Sequence, residues 1–227
     1  MEFEKNIFLN ADCMIEMKKY PPNFFDLAIV DPPYGIGEHG GKLRSNKARP
    51  CYELRKTTPK YKNKGWDKSP PTPEYWKHLF RISKNQVIFG ANYFTQYLEP
   101  SMGWIFWDKK FEGTDFSDGE FIFTSFKRGA KKITISSKAE TQGGLLRFHP
   151  TQKPVSLYRQ ILKEYAKAGD LILDTHVGSA SSLIACVELG FDYVGFEIDR
   201  DYWLSASKRL SKATRKYELF EIDKVIL

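Results

Sequence analysis

Residues 171–199 read LILDTHVGSASSLIACVELGFDYVGFEID. Leu171 to Asp174 is an apolar run ending in a carboxylate, the pattern of a buried strand. A tight turn around Gly178 follows. Ser179 to Leu189 then reads as a helix, Tyr193 to Ile198 as a second strand and Arg200 to Lys212 as a second helix. Apolar strands alternating with helices give an α/β fold, a mostly parallel Rossmann-like sheet with helices on both faces. Strand, glycine turn and helix together form the nucleotide-binding layout of such a sheet. Gly178 is the only glycine of the turn, so this is not the dinucleotide fingerprint GxGxxG. Glu197 ends the second strand 23 residues after Asp174, where an acidic residue commonly accepts a ribose hydroxyl. Glu197 and Asp199 are also placed to cap the next helix.

Working outward, Pro154 to Lys167 predicts a helix, with proline at its start, Gly169 beyond its end and Val155, Tyr158, Ile161, Leu162 and Tyr165 on one face. Upstream, Ile7 to Leu9 reads as a strand. Asp12 caps a helical turn over Met14 to Lys19, and Phe24 to Val30 is a buried strand. Glu74 to Ser83 is helical and Gln86 to Phe89 a strand. Asn92 to Leu98 reads as a short helix, and Trp104 to Trp107 and Glu120 to Phe126 as strands.

Two motifs carry chemistry. Asp31-Pro32-Pro33-Tyr34 follows the Phe24–Val30 strand directly, at the carboxyl end where open α/β sheets bind ligands. The prolines stiffen the turn, and Pro32 offers only its carbonyl. A carboxylate beside a fixed carbonyl accepts both hydrogens of an exocyclic amine, and Tyr34 offers a ring to stack on the same planar heterocycle. The second motif is His149-Pro150-Thr151-Gln152-Lys153-Pro154, at the entry to a helix. A helix N-terminus together with Lys153 suits a ligand carboxylate. No ligand spacing accompanies His149, so no metal is expected.

The net charge of +7 sits in one segment. Glu38 to Lys64 holds Lys42, Arg44, Lys47, Arg49, Arg55, Lys56, Lys60, Lys62 and Lys64 against only two acids, while the other 200 residues sum to zero. Tyr52, Tyr61 and Trp66 accompany this segment. Basic residues interleaved with aromatics suit a phosphate backbone and unstacked bases, although a solvated loop also carries such charge. Lys127 and Arg128 open a second basic patch, 127–132. The three cysteines, Cys13, Cys51 and Cys186, are widely spaced and suggest no disulfide framework. No apolar run reaches the roughly 18–20 residues of a membrane span, and the N-terminus lacks a signal-peptide core. The expectation is a cytoplasmic protein. A single domain over 1–227 is expected, with 38–73 a basic loop insertion that reads nucleic acid.

Together the motifs resemble the β group of amino DNA methyltransferases, the adenine-N6 and cytosine-N4 enzymes that use S-adenosylmethionine. The order is DPPY first, HPTQKP later, glycine turn last. The resemblance implies catalytic roles for Asp31, Pro32, Pro33 and Tyr34, acting on a base swung out of the duplex. It implies cofactor contacts by Asp12, which aligns with an adenine-contacting aspartate, and by Asp31, Lys153, Asp174, Gly178, Ser179 and Glu197. The implied partner is double-stranded DNA, met by a monomer or homodimer, as in restriction-modification or phage systems. Asp31 at the first motif position points to adenine. Cytosine-N4 and RNA methylation, and a catalytically inactive DNA-binding homologue, are the alternatives. Thr175, His176 and Ala180 replace the family's usual Pro, Phe and second Gly. Ala180 is sterically mild at negative φ and costly at positive φ. His176 either packs over the cofactor or fills the phenylalanine's space.

Overall fold

The computed structural model describes residues 3–37, 64–110, 117–137 and 148–226, with side chains through 219. Within them one sheet has eight strands. They are β1 (Ile7–Asn10), β2 (Phe25–Val30), β3 (Ser83–Phe89), β4 (Trp104–Asp108), β5 (Gly119–Thr124), β6 (Lys131–Thr134), β7 (Leu171–Asp174) and β8 (Asp192–Glu197). Their spatial order is β1-β8-β7-β2-β3-β5-β4-β6. β5 alone runs against the others. The helices are α1 (Cys13–Glu16), α2 (Pro73–Ile82), α3 (Val155–Tyr165), α4 (Ser181–Leu189) and α5 (Arg200–Ile226).

Strand alternation divides the core into two layers. Leu27, Ile29, Val87 and Phe89 face α3, α4 and α5, packing on Leu157, Ile161, Leu183 and Ala206. Ala28, Val30 and Ile88 face α2, packing on Tyr75, Trp76, Leu79 and Ile82. The sheet is therefore covered on both faces, which is why Leu27 to Val30 of β2 and Leu171 to Leu173 of β7 are continuous apolar runs rather than alternating. None of the described helices is long and apolar enough to cross a membrane.

Several local expectations change. Residues 92–98 form two 3-10 turns, Ala91–Tyr93 and Thr95–Tyr97, instead of a helix. They start from Gly90, whose left-handed φ of 60° turns the chain sharply. The basic patch 127–132 runs into β6, which pairs with β4 and places Ile133 in the core. α5 continues well past Lys212. α4 starts at Ser181 rather than Ser179, because Ala180 adopts φ 61°, ψ 23° as its N-terminal flanking residue. Here the alanine stands in the conformation that costs an L side chain roughly 1–2 kcal/mol.

Asp174 holds this turn. Its carboxylate accepts the His176 N–H at 2.9 Å and the Ser182 hydroxyl. Burial raises its pKa from 3.8 to about 7, against the pull of those donors and with the help of the nearby charge on Asp31.

Three substitutions test these contributions to stability. Ala180→Gly relieves the left-handed strain while losing one methyl, and is expected to be neutral or stabilising. Ala185→Gly, buried inside α4, is expected to cost about 1–2 kcal/mol by denaturant unfolding. Folded Asp174 keeps a proton that the unfolded chain releases, so its contribution to stability falls as pH rises toward about 7. Asp174→Asn, which mimics the protonated form, should gain on the parent protein between pH 5 and 8 in paired unfolding curves.

Candidate active site

Two parallel pairings create the site. β2 lies between β7 and β3, with Leu27 opposite Ile172 and Ala28 opposite Leu173. The β2–α2–β3 crossover runs one way along the sheet and β7–α4–β8 the other. Their carboxyl ends part at β2 and β7, the switch point where such sheets hold ligands. Asp31-Pro32-Pro33-Tyr34 leaves β2 there, and the glycine turn leaves β7 beside it.

A cavity of about 280 Å³ opens at this point. Its walls are Asp12, Cys13 and Met14 from α1, Pro33 from the DPPY turn, and Thr175 and His176 from the glycine turn. Glu197 and Ile198 at the end of β8, Tyr75 of α2 and the 66–72 segment complete it. Of the expected cofactor residues, Asp12 and Glu197 line the cavity. Asp12 also caps α1 by accepting the Met14 N–H at 2.8 Å. Glu197 accepts the Gly178 and Asp199 N–H groups, both at 2.8 Å, one on each carboxylate oxygen. Each oxygen keeps a lone pair for a ligand hydroxyl. Asp174, Gly178 and Ser179 do not line the cavity; they build the turn beneath it. Ser179 is buried, its hydroxyl on Ser181, and Arg209 from α5 donates to its carbonyl at 2.7 Å.

His176 resolves toward the cavity. Its Nδ1 lies 2.9 Å from the Thr175 hydroxyl, which in turn lies 2.7 Å from Tyr75 Oη. Burial lowers its pKa to about 4, so it is a neutral imidazole wall and carries no charge at neutral pH. His149 is likewise neutral. Burial, then Lys153, lowers its pKa to about 3, and its ring packs between Trp66 and Tyr202.

The largest departure concerns Lys153. It does not stand free at a helix terminus awaiting a carboxylate. Its side chain is 6% exposed, and its ammonium lies 2.6 Å from Asp31 Oδ2, 3.2 Å from Tyr34 Oη and 3.2 Å from Glu120 Oε1. The Ser181 hydroxyl donates to the Lys153 carbonyl at 2.7 Å, fixing the 149–154 segment against α4. Tyr34 Oη in turn lies 2.6 Å from Asp31 Oδ1 and 2.6 Å from Glu120 Oε1. Burial raises the Asp31 carboxyl above its usual range, while Lys153 pulls it back down. Burial also acts on Glu120, but Lys153 and Lys109 outweigh it and hold that carboxyl low. Tyr34 is pushed well up by burial and by both carboxylates, so it stays a neutral phenol.

The Tyr34 ring has a partner of its own. It stacks on Tyr93 with centroids 5.1 Å apart and 18° between planes. Gly90 makes room for it, because a Cβ there would lie 2.2 Å from the ring. Asp67 steadies the same turn, accepting the Gly35 N–H at 2.7 Å. Sequence reasoning missed Glu120, Lys109, Tyr93 and Asp67. None stands in a recognisable motif, and each reaches the site only through strand pairing or loop closure.

The expected DNA contacts divide. Lys42, Arg44, Lys47, Arg49, Arg55, Lys56, Lys60 and Lys62 lie outside the described residues. Lys64 is bound to Asp199 at 2.6 Å and Asp201 at 2.8 Å, tying the end of the basic segment to the start of α5. Lys127 is exposed, and Arg128 donates to the Glu164 carbonyl at 2.8 Å. Among the described residues no group of His, Cys, Asp and Glu is arranged to hold a metal.

Known proteins resemble this chain over most of its length. The N6/N4 methyltransferase family, described as DNA methylase, matches residues 99–208. The chain is 30% identical over 252 residues to type II methyltransferase M2.MboI of Moraxella bovis, covering 90% of this chain and 86% of that one. It is 24% identical to the DNA adenine methyltransferase YhdJ of Escherichia coli K12, covering 98% of this chain and 88% of that one. The solved complex of M1.HpyAVI with S-adenosylmethionine shares the fold, with TM-score 0.57 at 17% identity, covering 89% of this chain and 98% of that one. Motif order, strand order and near-full-length relatives converge, and the chain belongs to the N6/N4 DNA methylase family.

Proposed function

We propose that this protein is an S-adenosylmethionine-dependent DNA methyltransferase that methylates the N6 amino group of adenine. The observation that carries the reading is the shared wall. Pro33 of the DPPY turn lines the same cavity as Asp12 and Glu197. A nucleoside-sized ligand there lies beside the carboxylate that would hold an amine. The relatives' names support the substrate and the cofactor, one being a DNA adenine methyltransferase and one solved with S-adenosylmethionine.

The residues fit that cofactor. Glu197 has free lone pairs for ribose hydroxyls, and Tyr75, His176, Ile198 and Met14 offer apolar or neutral walls for a purine. S-adenosylmethionine supplies an activated methyl group. Asp31 and the Pro32 carbonyl accept the hydrogens of the target amine, drawing its lone pair out of conjugation and fixing its direction. The amine becomes strongly acidic as it gains positive charge, so no strong general base is required. Catalysis is then positioning and electrostatic stabilisation by Asp31. The stacked pair Tyr34–Tyr93, with Tyr93 41% exposed, supplies an aromatic surface for the unstacked base.

We assign the whole of 1–227 to one methyltransferase domain and the reading of DNA to 38–73 together with Lys127 and Arg128. We also assign it a cytoplasmic setting, as a monomer or homodimer, within a restriction-modification or phage context.

Asp31→Ala is expected to lower methyl transfer by ~10²-fold or more while leaving cofactor affinity, measured by calorimetry, within a few-fold. Glu197→Ala is expected to do the reverse first, weakening cofactor binding before turnover. Full turnover by Asp31→Ala would overturn the assignment.

A further inference from the structure

Behind the DPPY turn lies a buried charge cluster that the transfer step, as described, leaves unused. β5 is the reversed strand, so its first residues stand at the carboxyl end of its neighbours. This places Glu120 next to Asp31 and Tyr34, although it lies 86 residues or more from them along the chain. Lys109, just beyond β4, holds the other Glu120 oxygen at 3.0 Å.

Each Asp31 oxygen already accepts one buried donor, Oδ1 from Tyr34 and Oδ2 from Lys153. An arriving amine adds a third donor to the same carboxylate, and the three then compete for it. Glu120 Oε1 lies within reach of both donors, at 2.6 Å from Tyr34 Oη and 3.2 Å from Lys153 Nζ. The single Tyr34 hydroxyl proton serves one carboxylate at a time. Resting on the reading of Asp31 as the amine acceptor, we propose that Glu120 and Lys153 are positioning residues. Lys153 and Tyr34 hand over from Asp31 to Glu120 as the target amine arrives.

Charge accounting supports the exchange. Asp31 is faced by Lys153, Glu120 and Tyr34, and more distantly by Asp174, Tyr75 of α2 and Tyr158 of α3. Lys153 is the cation among these. It offsets the burial of Asp31, and because it also touches Glu120 it stays paired at either station. Lys109 keeps Glu120 charged while it waits. Without Glu120, both donors remain on Asp31. Without Lys153, two buried carboxylates face each other across one phenol.

The test uses Glu120→Gln, Lys153→Met and the double variant in the full chain. Readouts are steady-state kinetics against pH, cofactor affinity, and the Asp31 carboxyl titration by 13C NMR. Glu120→Gln is expected to raise KM for DNA by about tenfold, the weight of one charge-assisted hydrogen bond, with cofactor affinity unchanged. Removing its negative charge shifts the Asp31 titration and the acid limb of kcat to lower pH. Lys153→Met shifts both upward by ~1 pH unit or more, so its activity recovers at alkaline pH. The double variant lies between. Limbs that stay in place, or move in the same direction, would overturn the proposal. If Lys153→Met does not fold, the downward shift in Glu120→Gln alone decides. If the parent protein transfers no methyl group to any nucleic acid, the functional reading fails. The NMR titration still decides whether Glu120 and Lys153 set the charge of Asp31, and an Asp31 value unmoved in both variants sinks their positioning role.

Discussion

Everything at the site depends on one pairing, the parallel contact of β2 with β7. Only two residue pairs define its register, Leu27 with Ile172 and Ala28 with Leu173. They join stretches about 145 residues apart and align the carboxyl ends from which the DPPY turn and the glycine turn depart. Motif order along the chain is then immaterial, because the sheet brings the two turns together in space. The apolar sequences of β2 and β7 make the pairing favourable, since both strands are sealed between α2 on one face and α3 and α4 on the other.

The second constraint is electrostatic. Burial raises the Asp31 carboxyl, and Lys153 arrives from the segment before α3 to pull it back down. Buried ion pairs add little to stability, because desolvation offsets most of the attraction. Their retention at a strand end that also bounds a cavity is better explained by chemistry than by folding. The same logic separates this cluster from Asp174, whose raised pKa reflects a structural role in the turn. Arg209, Ser181 and the Lys153 carbonyl form a chain of contacts linking α5, α4 and the HPTQKP segment. Displacement of any one of these elements therefore reaches the Lys153 ammonium beside Asp31.

Much of this was legible in the sequence. The strand–turn–helix at 171–189 and the DPPY turn after an apolar strand specify the α/β class and the end of the sheet that matters. Asp31, Tyr34 and Glu197 are recognisable because local patterns fix their positions. Lys153 was visible as a motif member but not in its role, since a helix start suggests an anion site and only tertiary packing turns its side chain to Asp31. Glu120 and Lys109 carried no signal, because their importance comes from the reversal of β5. Ala180 shows the opposite case. Its departure from the family's glycine was evident, and the backbone resolves it into the strained conformation the sequence had left open. Composition picks out the basic segment as a block. Of its named cations only Lys64 lies within the described residues, where it anchors to Asp199.

The most direct test of the account is nucleoside analysis of unmethylated duplex DNA after incubation with the protein and methyl-labelled S-adenosylmethionine. The account predicts label in N6-methyladenine, dependent on Asp31. Label in N4-methylcytosine, or no label in DNA under conditions where the cofactor binds, would contradict it.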